Sequence, residues 1–439
     1  MTAINRIPIR QSLCGPSIIR IMKVSRFGQK IATRSGISHL MEDLGNALAE
    51  KQDVLMLGGG NPAHIPAVQT YFRESMVRLL ANDSQFESVI GNYDPPQGNK
   101  EFIEAIATLL RNEFGWDMTS ENVALTNGSQ SAFFILFNIF AGRFEDGSDR
   151  KILFPLAPEY IGYSDVGLGD DLFVANKPHI RHLADHIFKY HVNFDQITIN
   201  DEIGAICVSR PTNPTGNCLT EFELEKLSAL ARKNGIPLII DNAYGTPFPN
   251  IVFAEAKPLW NEQTILCMSL SKLGLPATRT GIVIADKEVI SMVSEMNAVM
   301  SLAPGSMGTA LAADLVRSGE IIRLSQDIIK PFYHKKAEEA ISQAMALLKG
   351  IDFQIHKPEG AFFLWLWFPN LPITNRELYE RLKKRGVLVV PGHYFFPGLT
   401  EPWQHKDECI RLSYAQDQKI VMAGLKIIAD EVKRAHSGV

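Results

Sequence analysis

Between residues 121 and 271 the chain passes five times from a short apolar run into a polar or Gly/Pro-rich turn: ENVALTNG, KILFPLAP, GAICVSRP, IPLIIDNA and TILCMSLS. The runs have strand length, and helical patterns such as TEFELEKLSALARKNG (residues 220 to 235) lie between several of them. Strands that alternate with helices, and that are apolar throughout rather than at every second position, predict a mainly parallel sheet covered by helices on both faces. Such a sheet binds its ligands just beyond the carboxyl ends of its strands, so the turns closing these runs are where chemistry is expected.

The 439 residues exceed what one core organises, so at least two packed units are expected. From about residue 311 the character changes to long amphipathic stretches, with strand-like runs in AFFLWLWF, GVLVVPG and CIRLSYA before a last helix. This predicts a large domain over residues 61–310 and a smaller α+β domain from 23–60 and 311–439, with 1–22 an N-terminal extension outside the fold. The first 41 residues lack Asp and Glu yet carry seven Arg or Lys, a bias that transit peptides share, although Met22 opens a stretch that reads as the folded protein. A net charge of -4 offers no field to gather nucleic acid. FFILF (133–137) and AFFLWLWF (361–368) are too short to span a membrane and are expected in the core. The five cysteines are scattered and form no CxxC pair, which points to reduced thiols in a cytoplasmic protein.

In SLSKLGLPATRTG (269–281) a lysine directly follows an apolar strand, and Arg279 stands seven positions later. Lys272 at a sheet edge is a candidate amine nucleophile for Schiff-base chemistry. Asp241 and Tyr244 in IIDNAYG and Asn213 in SRPTNPTG close neighbouring runs; a carboxylate and two hydrogen-bonding groups suit a pyridine cofactor, its ring nitrogen on the one and its phenolic oxygen on the others. TNGSQSAFFILF sets Gly128, Ser129 and Gln130 at the start of an apolar helix, where backbone N–H groups can cradle a phosphate, with Ser269 and Arg279 completing the cup. Taken singly, each has a plainer reading: a solvated lysine, a helix cap at Asp241, an ordinary turn in NPTG and a capped helix at TNGSQ.

Taken in order, NYDPPQG, TNGSQSAF, PEYIGY, SRPTNPTG, DNAY, SLSK, Arg279 and IRLSYA resemble the fold-type I pyridoxal-phosphate (PLP) aminotransferases over roughly residues 50 to 415. The resemblance implies a three-layer αβα domain with a smaller α+β domain, and PLP as cofactor. It makes Lys272 the Schiff-base lysine and proton shuttle, Asp241 the ring-nitrogen partner, and Asn213 and Tyr244 the phenolate contacts. Gly128, Ser129, Gln130, Ser269 and Arg279 would hold the phosphate and Tyr160 would stack on the ring. Tyr93 would reach the neighbouring subunit's phosphate, which implies a homodimer with shared sites. Arg411 would clamp the substrate carboxylate, with Gly60 and Asn213 beside it. LGGGNPA, LAPEYIGY, HKPEGA and PGHYFFPG further resemble the members that move an amino group between valine or alanine and the matching 2-oxo acids. Two departures stand out: Arg279 follows Lys272 by seven residues where many relatives have eight, and Gln130 replaces a smaller residue.

Alternatives within the fold are an aminotransferase for a different amino acid, a β-eliminating or decarboxylating PLP enzyme, and a PLP-binding regulator, the last needing a DNA-binding domain for which only about 50 residues precede LGGGNPA. GGGNPA (58–63) fits a dinucleotide fingerprint in letters, but Pro62 and Pro66 disfavour the helix it needs. His179, His182, His186 and His191 cluster without the glutamate of HExxH; they are expected on a surface helix or loop, and no metal site is expected.

Overall fold

The structure, a computed structural model, describes residues 23–32, 42, 45 and 54–438. The extension expected over 1–22 lies outside the described residues.

The five runs form strands of one eight-stranded sheet. Its main strands are β1 (Val123–Thr126), β2 (Asp149–Phe154), β3 (Phe173–Ala175), β4 (Ile203–Ser209), β5 (Leu238–Asp241), β6 (Thr264–Ser269) and β7 (Gly281–Ile284). They lie side by side in the order β1-β7-β6-β5-β4-β2-β3, with the short strand Gly142–Arg143 antiparallel to the start of β2. Pairing is parallel from β6 to β3, whereas β7 runs antiparallel to both β6 and β1. Every residue of β4 and β6 is buried, as a sheet covered on both faces requires. Ser209 pairs with Asp241 and Asp241 with Cys267, so β4, β5 and β6 end at one edge.

Five helices matter below: α1 (Pro66–Leu80), α2 (Ser129–Phe140), α3 (Glu221–Lys233), α4 (Lys330–Leu347) and α5 (Gln418–His436). The apolar α2 packs on β2, β6 and β7, so FFILF is core. The α3 stretch starts where its sequence says: Thr220 Oγ1 accepts from the Glu223 N–H at 3.2 Å and the Glu223 carboxylate accepts from the Thr220 N–H at 2.8 Å.

A second, six-stranded sheet has the order Val390–Pro391, Cys409–Ser413, Phe363–Trp367, Gln354–His356, Ile187–His191, His179–His182. AFFLWLWF supplies its third strand. Leu55–Met56 pairs in parallel with Val387–Leu388, and α5 packs on Leu55–Met56 and on α4. The last two strands come from a hairpin in the middle of the chain. There the histidine expectation is corrected: His179, His182 and His191 lie on antiparallel strands, with His179 opposite His191, and His186 sits in the connecting turn at φ 61°. His191 Nδ1 lies 3.1 Å from Glu223 Oε1, and His186 Nδ1 lies 3.0 Å from the Phe353 carbonyl. These histidines bond to neighbouring elements rather than to each other.

Candidate active site

A cavity of about 610 Å³ opens at the edge where β4, β5 and β6 end. A larger groove of about 1070 Å³, between residues 100–113 and 316–326, is lined by mixed charges such as Lys100, Glu101, Arg317 and Arg323. The convergent polar groups are in the smaller cavity. Gly60, Ser129, Gln130, Tyr160, Asn213, Asp241, Tyr244, Ser269, Lys272, Arg279 and Arg411 all line it. Residues spread over 350 positions of sequence thus meet because their strands and turns end at one edge.

Asp241 closes β5. Its Oδ1 accepts from the Ala243 N–H at 2.9 Å, and its Oδ2 accepts from the Tyr163 hydroxyl at 2.6 Å. Burial raises the carboxyl's pKa, while Tyr163, Ala243 and the Lys272 charge draw it down. Lys272 lies in the turn after β6. Its Nζ donates to the Gly60 carbonyl at 2.8 Å and stands 5.5 and 5.6 Å from the ring centres of Tyr244 and Phe362. Loss of water around the amine, reinforced by the Arg411 and Arg279 charges and partly offset by Asp241, lowers its pKa to about 8.

Arg411 rises from the second sheet and is buried. Nη1 donates to Asn213 Oδ1 at 2.7 Å and Nη2 to the Gly58 carbonyl at 2.6 Å, leaving Nε buried without a partner. Its guanidinium carbon lies 4.2 Å from the Phe363 ring centre, and burial lowers its pKa to about 10. Because Asn213 gives its carbonyl to Arg411, its amide N–H₂ remains for a ligand.

Helix α2 begins at Gly128, whose φ of 83° suits glycine. A Cβ there would lie 2.0 Å from Arg279 Nη2, and one at Gly281 would lie 2.6 Å from Ser129 N. Gly128 therefore lets a guanidinium close on the helix N-terminus, and Gly281 lets the start of β7 lie against the same turn. Arg279 itself adopts φ 51°, ψ 61° after a 3₁₀ turn, Pro276–Thr278, which takes up the seven-residue spacing. Its Nη1 donates to the Pro276 carbonyl at 3.1 Å and to Ser271 Oγ at 3.4 Å. A helix start with free N–H groups, a guanidinium, a serine, a carboxylate three strands away and an amine fit a phosphorylated pyridine aldehyde.

The question over Gln130 has an answer: its side-chain N–H₂ donates to the Gly162 carbonyl at 2.8 Å, tying α2 to PEYIGY. Tyr93 does not enter the cavity and is 80% exposed. Sequence reasoning passed over Tyr163, although it stands three residues after Tyr160 on the same 3₁₀ turn. It also passed over Glu159, whose carboxylate accepts from Ser209 N at 2.9 Å and from Ser209 Oγ at 2.5 Å; burial pushes its pKa to about 8. Ser271 and Gly58 were legible only as parts of their motifs.

Comparison with known proteins agrees with this geometry. The family model described as aminotransferase class I and II matches residues 76–423. The chain is 53% identical over 414 residues to the valine–pyruvate aminotransferase of Escherichia coli K12, covering 94% of this chain and 99% of that one. The crystal structure of valine–pyruvate aminotransferase from Salmonella typhimurium LT2 superposes with a TM-score of 0.85 at 52% identity, covering 92% of this chain and all of that one. Thermus thermophilus aspartate aminotransferase with maleate, at 22% identity and a TM-score of 0.76 over 93% of this chain and all of that one, shares the fold. The chain belongs to the class I and II aminotransferases, PLP-dependent enzymes that act on amino acids and 2-oxo acids.

Proposed function

We propose that the enzyme transfers the amino group reversibly between valine or alanine and pyruvate or 2-oxoisovalerate by a ping-pong mechanism. The observation that carries this reading is the set of cations in the cavity: among the described residues, Lys272, Arg279 and Arg411 are the lysine and arginines that line it. Lys272 and Arg279 serve the cofactor, so one arginine remains for substrate, which suits a monocarboxylate with a small apolar side chain. Among the described residues, a second carboxylate would find no guanidinium of its own. The 53% identity to a valine–pyruvate aminotransferase supports the same substrate class.

In this reading the Ser129 and Gln130 N–H groups at the Gly128 turn, with Ser269 and Arg279, hold the phosphate, and Tyr160 covers the ring. Asp241 keeps the ring nitrogen protonated, while Asn213 and Tyr244 donate to the phenolic oxygen. Bound there, PLP supplies an electron sink for the charge left when a substrate Cα loses its proton. Arg411 turns from Gly58 and Asn213 to the substrate carboxylate and, beside Gly60, orients the Cα–H bond toward Lys272. Lys272 Nζ takes that proton, holds it and would deliver it to the cofactor carbon that carried the imine, so that the amino group stays with the cofactor; a pKa near 8 leaves part of the amine neutral at physiological pH. The second half-reaction runs these moves backwards on the other oxo acid.

The proposed division gives the small domain residues 23–60 and 311–439 and the large one 61–310, with the hairpin His179–His191 of the large part pairing into the second sheet. A homodimer with shared sites is part of the proposal, supported by the exposure of Tyr93 and of Val77, Leu80 and Ile90 nearby in sequence. No described helix is long and apolar enough to cross a membrane. The free, buried Cys207, Cys218, Cys267 and Cys409 support a reducing, cytoplasmic setting.

The test is the visible spectrum of the purified protein. L-Valine is expected to remove the cofactor band and pyruvate to restore it, with 2-oxoisovalerate and alanine as products, and Lys272→Ala to abolish turnover. A band that valine leaves unmoved overturns the substrate, and full activity in Lys272→Ala overturns the site.

A further inference from the structure

The segment Gly58–His64 crosses the mouth of the cavity before α1 begins, with no regular secondary structure of its own. Among the described residues, three hydrogen bonds reach it from the rest of the protein. Arg411 Nη2 donates to the Gly58 carbonyl at 2.6 Å, Lys272 Nζ donates to the Gly60 carbonyl at 2.8 Å, and the Tyr333 hydroxyl accepts from the Ala63 N–H at 2.7 Å. The first two donors are the groups that the reaction needs. Once Arg411 clamps a carboxylate it leaves Gly58, and once the Lys272 amine is engaged it no longer holds Gly60. Tyr333 has neither duty and does not line the cavity.

Tyr333 is also firmly seated. It is 1% exposed on α4, and its ring stacks on Phe362 at 5.3 Å and 24°, with Phe362 in turn 5.6 Å from Lys272 Nζ. A π-helical turn, Ser325–Ile329, precedes α4, and Pro331 lies two residues before the tyrosine. Proline has no N–H to continue the α-helical ladder, and a wide turn at that point rotates the residues that follow.

We propose that Tyr333 is a positioning residue: among the described residues, the anchor of the Gly58–His64 strap that stays in place through the catalytic cycle, keeping the strap over the bound amino or oxo acid while Lys272 and Arg411 change partners. The proposal rests on the roles given above to Lys272 and Arg411. An anchor that acts equally on bound substrate and transition state changes binding and leaves the chemical step alone.

Tyr333→Phe keeps the ring and its stacking on Phe362 and removes only the acceptor. In the holoenzyme it is expected to raise KM for both L-valine and pyruvate roughly two- to tenfold, the worth of one hydrogen bond, with kcat within about twofold of the parent. Hydrogen exchange at the Ala63 amide is expected to quicken by a similar factor. Unchanged KM values and unchanged exchange overturn the proposal, and so does a lowered melting temperature with KM untouched, the signature of a packing role alone. Should Tyr333→Phe fail to fold, the unaltered holoenzyme decides: the Ala63 amide stays protected when L-valine is saturating, and free exchange there overturns the proposal. Because exchange at Ala63 needs no turnover, it separates failure of this proposal from failure of the substrate assignment, which inactivity of the parent enzyme toward valine would reveal.

Discussion

Lys272 is a cation in a place that disfavours cations. Burial and two nearby guanidinium groups act against its charge, and Asp241 restores only part of it, so the amine titrates at about 8 rather than 10.5. In the proposed mechanism the neutral amine is the nucleophile and the proton acceptor, so reactivity is expected to rise as pH passes upward through that value. Apoprotein mixed with PLP is therefore expected to capture the cofactor at a rate that climbs through about pH 8 and then levels off. Stopped-flow absorbance measures this directly. Arg411→Gln removes one of the opposing charges and is expected to move the midpoint upward. A rate still climbing toward pH 10.5 in the parent would mean that the amine is not perturbed. At this scale the sequence was informative wherever a residue belonged to an ordered motif. Tyr163 and Tyr333 were not readable, because a hydroxyl bonded to Asp241 or to the Ala63 N–H leaves no mark on spacing.

The start of α2 is where element geometry becomes chemistry. Gly128 holds φ 83°, and the space that its side chain would fill is taken by Arg279 Nη2, 2.0 Å from an added Cβ. Gly128→Ala thus meets two obstacles, a strained backbone and a displaced guanidinium. PLP affinity, followed by titrating the apoprotein, is expected to fall about tenfold or more, the scale of losing a charge-assisted hydrogen bond, with activity recovering at saturating PLP. Equal affinity in the variant would remove Arg279 and the Gly128 turn from the phosphate site. The TNGSQ turn was legible because a glycine before an apolar helix is a local signal. The left-handed Arg279 was not, since only the distance it must cover to Gly128 explains it. The histidine-bearing segment was misread for a related reason: the four-residue spacing of His182 and His186 mimics a helical turn, whereas the strand Ile187–His191 is fixed by pairing with His356, far along the chain.

At the scale of the molecule, the site exists because two sheets meet. Lys272 and Asp241 come from the first, and Arg411 from the second. A buried pair, Lys189 with Glu359, links the central hairpin to the HKPEGA turn; Glu359 also accepts from Cys218 N at 3.2 Å, beside the loop that carries Asn213. Lys357 Nζ also lies 3.2 Å from Glu359 Oε1, so the join is held by an ionic cluster as well as by apolar packing. Tyr93 is the residue that this arrangement leaves unexplained within one chain, since it is 80% exposed and lies outside the cavity. If two copies share their sites, a dimer made of one Lys272→Ala chain and one Tyr93→Ala chain contains one site with both defects and one with neither. Each variant alone is expected to be inactive, or nearly so, at limiting PLP. Unfolded together and refolded as an equal mixture, they are expected to regain about a quarter of parent activity, because half of the dimers are hybrids and each hybrid has one of two sites intact. Recovery depends on mixing before assembly, which separates it from a slow gain by either variant alone. No recovery from hybrids that size-exclusion and mass analysis confirm as dimers would mean that Tyr93 serves its own chain, and full activity of Tyr93→Ala alone would mean that it serves no site.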